Sequence, residues 1–217
     1  MFELRPGETL IHSERNLPLI GLFGTSANNA YNLYFTQNDS SKNYTLIIYM
    51  DIQFIFISSK DEEWSTYEKT TFIDQFKEDM QVVWGGKLIK TLEDVSLVYN
   101  EVRFNTGEEG HSVNKHWEIK VRKTEKGKVS ISYINPTTGD VQLDSDDFIP
   151  IYKGHFPVQR IMVDEFGHIL GLNDEYKQGL FVEDYLSIIN TGEPLKDRCQ
   201  SSGWLEESET TTLKEKL

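Results

Sequence analysis

The stretch that most limits what this chain can fold into is TLIIYMDIQFIFIS, residues 45–58. Nearly every side chain in it is aliphatic or aromatic, so water must be kept away from it. A membrane helix needs roughly 20 apolar residues, whereas this run is shorter and is interrupted by Asp51 and Gln53. It reads as two buried strands, NYTLIIYM and IQFIFIS. Short segments of the same character precede it (TLIHS, PLIGLF, YNLYFT), separated by the turn-formers Gly24, Asn28, Asn29 and NDSS at 38–41. Residues 1–60 therefore read as a small β-rich module.

From Asp61 the composition turns acidic and helical. STYEKTTFIDQFKEDMQVVW places Phe72, Phe76, Met80 and Val83 at spacings of three and four, one apolar face of a helix that breaks at Gly85-Gly86. Strand patterning returns at 95–104 (VSLVYNEVRF), 115–123 (KHWEIKVRK) and 128–134 (KVSISYI). A second helix is expected over Phe156 to Leu172, with Pro157 in its first turn and Gly171 at its end. Beyond Trp204, residues 205–217 (LEESETTTLKEKL) lack a hydrophobic period and read as a polar tail.

Charge and cysteine content narrow the chemistry. The 217 residues carry 22 Lys and Arg against 35 Asp and Glu, a net charge of −13 that repels phosphate backbones and anionic membrane surfaces. Nucleic acid is thereby a poor partner. Cys199 is the sole cysteine, so the chain supplies no internal disulfide and no cysteine-based zinc or iron–sulfur site. A metal would have to be held by His, Asp or Glu. The opening MFELRPGETL lacks the basic start and apolar run of a secretory signal, which leads to the expectation of a protein that begins in the cytoplasm.

The second helix contains VDEFGHILGLNDEY, residues 163–176. Asp164 and His168 lie four apart, so on a helix they share a face and can meet one ion. Glu165 stands beside them, placed to take a proton from a metal-bound water. Gly171 permits a sharp turn that would bring Asp174 or Glu175 back toward the same ion.

Written as spacing, D-E-x-x-H-x-x-G-x-x-D resembles the H-E-x-x-H-x-x-G-x-x-H/D helix of zinc metallopeptidases of the zincin and metzincin type, with Asp164 at the position of the first His. Ser187-Ile188-Ile189-Asn190 resembles the Met-turn beneath the metal in those enzymes, with Ile189 in place of Met. The resemblance implies an α+β zincin-like metallopeptidase domain over 61–204, preceded by the β-rich module. It further implies metal ligands Asp164, His168 and Asp174, a general base Glu165, and Tyr185 as a phenol near the Met-turn that stabilises the transition state. Zn²⁺ is the implied cofactor, and the one-histidine, two-carboxylate set makes Mn²⁺ or Ca²⁺ more competitive. A peptide or protein is the implied substrate, paired in extended form with an edge strand near Trp117. The alternative is a catalytically impaired pseudopeptidase that binds a protein partner or serves in a larger assembly. Similar GHxLGLxDEY wording occurs among bacterial proteins associated with contractile injection machines.

The other candidates have plainer readings. His12, His111 and His116 read as surface or turn residues, and His155 as a weaker substitute for the ligand at 164. Glu175 and Tyr176 continue a polar loop as readily as they join a site. Trp117 and Tyr133 alternate with polar residues and suit a core, and Cys199 has no histidine at a suggestive spacing.

Overall fold

A computed structural model describes residues 2–21, 24–25, 29–110, 115–124, 131–135, 138–150 and 160–172. Along the chain these form β1 (Glu8–Leu17), β2 (Ile20–Gly21), β3 (Gly24–Thr25), β4 (Tyr31–Asn38), β5 (Tyr44–Ile57), α1 (Thr66–Trp84), β6 (Leu88–Thr91), β7 (Leu97–Glu108), β8 (Trp117–Arg122), β9 (Tyr133–Asn135), β10 (Asp140–Asp144) and α2 (Ile161–Ile169).

The apolar run is one strand, β5, and the expectation of two strands is corrected. Its middle does not turn; its partner changes. Along one edge β5 pairs in parallel with β7 from Tyr44 to Phe54. Along the other it pairs antiparallel with β4 up to Tyr49, then in parallel with β8 from Ile52 onward. β1 flanks β4, β6 flanks β7, and β10 runs parallel to β8 with β9 antiparallel at the far edge. The result is an eight-stranded mixed sheet, with β2 and β3 as a separate pair.

This arrangement overturns the expected α+β zincin-like domain with its appended β-rich module. The described residues form a β-rich fold of ten strands and two helices. Strands from before and after residue 60 share one sheet, because β5 cannot satisfy both its edges without β7 and β8. Both faces of β5 are covered from Leu46 to Phe54 as well, which explains its largely apolar character. Leu46, Ile48, Met50, Ile52 and Phe54 enter the main core, while Ile47 and Tyr49 pack with Tyr34 and Phe2 on the opposite face.

The segment after β5 folds as the sequence pattern predicts. Ser65 caps α1: its hydroxyl accepts from the Glu68 N–H at 3.3 Å, and the Glu68 carboxylate accepts from the Ser65 N–H at 2.8 Å. The helix ends at Gly85-Gly86, where Gly86 adopts φ 72° and a Cβ on Gly85 would lie 2.8 Å from the Gln81 carbonyl. Phe72, Phe76, Met80 and Val83 are all buried against the sheet. Phe54, Phe72, Phe76 and Phe166 are fully buried, each contributing about 1.5–3 kcal/mol from area removed from water. No helix among the described residues is long and apolar enough to cross a membrane.

Candidate functional site

Helix α2 is short because its two ends are set by different devices. Arg160, the residue before it, is extended (φ −112°, ψ 109°) and its side chain makes no capping hydrogen bond, so α2 begins at Ile161, while residues 156–159 of the expected helix lie outside the described residues. At the other end Gly171 takes φ 91°, a left-handed conformation that favours glycine. This turn returns the Gly171 N–H to the His168 carbonyl and the Leu172 N–H to the Gly167 carbonyl, each at 3.0 Å.

The apolar stripe Met162, Val163, Phe166 and Ile169 is buried. Phe166 meets Phe76 of α1 at 5.9 Å and Phe104 of β7 at 5.8 Å between ring centroids. With that stripe fixed, the 3.6-residue period leaves Asp164, Glu165 and His168 half-buried on the rest of the helix surface.

The backward turn at Gly171 has a chemical consequence. His168 Nδ1 lies 2.7 Å from the Leu172 carbonyl oxygen. A carbonyl only accepts, so Nδ1 carries the proton and, in the neutral ring, Nε2 is left with its lone pair. Metal-binding histidines are commonly held this way, with one nitrogen donating to a carbonyl and the other presented to the ion. Asp164 stands one turn earlier on the same helix and offers a carboxylate oxygen. Side chains of these two types are ones that can ligate a divalent cation. Among the described residues no group of three or more His, Cys, Asp or Glu side chains gathers as a metal centre.

Asp174, the third expected ligand, and Tyr185 lie outside the described residues, as do His111, His155, Glu175, Tyr176, Ile189 and Cys199. Trp117 is 2% exposed in β8, between β5 and β10, and its indole donates to the Ala30 carbonyl at 2.7 Å. The expected substrate-pairing edge is therefore not formed by β8, which is flanked by β5 along its length and by β10 from Ile119 onward. β9 forms that edge of the described sheet, and it packs against α2 and carries Tyr133, 42% exposed.

His116 is not a plain surface residue either. Its Nδ1 accepts from the Asp51 backbone N–H at 2.8 Å, while the His116 backbone N–H donates to the Asp51 carbonyl at 2.8 Å. Sequence reasoning also passed over Asp79, which is 4% exposed and ion-paired with Arg160 at 2.8 Å. The available signal was its spacing: Asp79 lies seven residues after Phe72 and three after Phe76, on the apolar face of α1. Comparison with models of protein families, with curated proteins and with solved structures gives no match.

Proposed function

We propose that this chain is a metal-dependent hydrolase of peptide bonds whose centre is built on α2. The observation that carries this reading is the state of His168. Its Nδ1 donates to the Leu172 carbonyl, so that in the neutral ring the lone pair is on Nε2, and the same helix carries Asp164 one turn earlier and Glu165. His168 and Asp164 would hold the ion, with Asp174 completing the set. The cation, Zn²⁺ before Mn²⁺ or Ca²⁺, supplies Lewis acidity toward the scissile carbonyl when bound.

Glu165 acts as the general base, taking a proton from the attacking water and passing it to the leaving amine. Leu172 holds the His168 ring in the coordinating tautomer. β9 is the edge of the described sheet beside α2, and an extended peptide would pair there through main-chain hydrogen bonds.

The test is the metal content of chain purified without chelators, read by plasma mass spectrometry, together with cleavage of a peptide library. Near-stoichiometric zinc and cleavage that Glu165→Gln abolishes while metal is retained would support the reading. An unaltered chain without metal or cleavage would refute it. If the Asp164→His variant alone then took up zinc, the site would be that of a pseudopeptidase, and binding partners would be sought instead.

A further inference from the structure

Asp79 is an expensive residue to keep. Its carboxylate is buried on α1 among the side chains that face the sheet, and burial raises its pKa above the usual 3.8, against the pull of the Arg160 guanidinium and the Gln75 amide. Arg160 Nη1 and Gln75 Nε2 both reach one oxygen, Oδ1, at 2.8 and 3.1 Å. The other oxygen, Oδ2, is buried and has no hydrogen-bond partner among the described residues. Replacing such a pair by apolar side chains is often neutral or stabilising, so packing alone does not account for it. What a directional ion pair supplies, and a methyl group does not, is a fixed position for the group it holds.

That group is the residue before α2. The Arg160 carbonyl accepts from the N–H groups of Val163 and Asp164 at 3.1 and 3.2 Å. One peptide unit later, the Trp84 indole, at the end of α1, donates to the Val163 carbonyl at 3.3 Å. The peptide linking Val163 to Asp164 is thus held at both of its polar atoms, its carbonyl by Trp84 and its N–H by Arg160, whose side chain is in turn anchored to Asp79. An aspartate is shorter than a histidine and has less reach to absorb an error in backbone position.

We propose that Asp79 is a positioning residue for the α2 site, which through Arg160, and together with Trp84, sets where the Asp164 carboxylate stands. This role rests on the metal-dependent reading of α2. It is tested with Co²⁺ as the probe, on the full chain, by following the visible absorption that reports ligand geometry. Amide exchange in α2 and β5 serves as a check on folding.

The unaltered chain is expected to bind Co²⁺. The Asp79→Asn variant is expected to bind it at least about 10-fold more weakly and with an altered spectrum, exchanging faster in α2 but not in β5. Arg160→Lys keeps the charge but loses the planar fork, and it should show the same spectral change, which covers the case in which Asp79→Asn fails to fold. The double variant Asp79→Arg with Arg160→Asp should recover part of the lost affinity. Binding by the unaltered chain with an unchanged affinity and spectrum in both single variants would overturn the positioning role alone. Absence of Co²⁺ binding by the unaltered chain would overturn the metal reading and this role with it.

Discussion

His116 lies where β5 exchanges one neighbour for another, and its replacement should reveal what holds that junction. β4 last pairs with β5 at Tyr49 and β8 first pairs at Ile52, so the Asp51 N–H falls between two ladders. His116 Nδ1 fills the gap at 2.8 Å. In His116→Leu the donor loses its acceptor in a part-buried position, which costs about 1–3 kcal/mol. In His116→Asn the amide oxygen can take the place of Nδ1, and most of that cost is avoided. With a urea slope of about 2 kcal/mol per molar, the leucine variant should unfold at a midpoint lower by about 0.5–1.5 M near pH 8.

A pH effect accompanies this. Burial holds His116 below the usual imidazole pKa of 6.5, against the pull of the Asp51 carboxylate. The folded state then binds a proton less readily than the unfolded state, so stability is complete above about pH 6.5 and is lost as the pH falls below it. The geometry agrees, because an added proton on Nδ1 would face the Asp51 N–H. Urea midpoints of the unaltered chain and of His116→Asn, measured from about pH 8 down to about pH 5, isolate this group, since other titrations cancel in the difference. The unaltered chain should lose stability relative to His116→Asn on acidification. A leucine variant as stable as the unaltered chain near pH 8, together with parallel pH curves for the unaltered chain and His116→Asn, would refute the account.

Asp147 should behave in the opposite sense. Burial pushes its carboxyl up to about 6, against hydrogen bonds from the Ser132 hydroxyl at 2.5 Å and the Asp144 N–H at 2.7 Å. Stability is therefore present below the usual 3.8 and lost as the pH rises through about 6. Asp147→Asn should gain at most about 3 kcal/mol near pH 8 and little near pH 4, as read by urea unfolding. Val95, 76% exposed in the β6–β7 turn, has φ 69°, a left-handed conformation that strains a β-branched side chain. Val95→Gly should raise stability by about 1 kcal/mol and the thermal midpoint by about 2–4 °C by calorimetry. Phe76 joins Phe54, Phe104 and Phe166, so Phe76→Ala should cost about 3–5 kcal/mol in urea unfolding.

How much of this protein its sequence determined depended on the range of the interactions involved. The apolar face of α1 and its end at Gly85-Gly86 were legible because helix period and helix-breaking glycines act within a few residues, whereas the cap at Ser65 was seen only in the structure. The sharing of one helix by Asp164, Glu165 and His168, and the turn at Gly171, were legible for the same reason. Beyond that range the pattern was ambiguous. The run 45–58 looked like two strands because nothing local distinguishes a polar interruption at a turn from one at a change of neighbour. DVQLD, now β10, passed unnoticed because five residues carry too little alternation, and its strand state depends on β8 and β9.

Only the tertiary structure decided that the N-terminal strands and the later ones share a sheet, since strand order is set by edge hydrogen bonds between segments far apart in the chain. It alone placed Trp117 in the middle and Tyr133 at the rim. The proton on His168 Nδ1, the acceptor for Asp51 and the ion pair from Asp79 to Arg160 were decided there too. Each is a directional contact of about 3 Å, and an orientation of that kind exists only once the backbones that carry it have been packed into place.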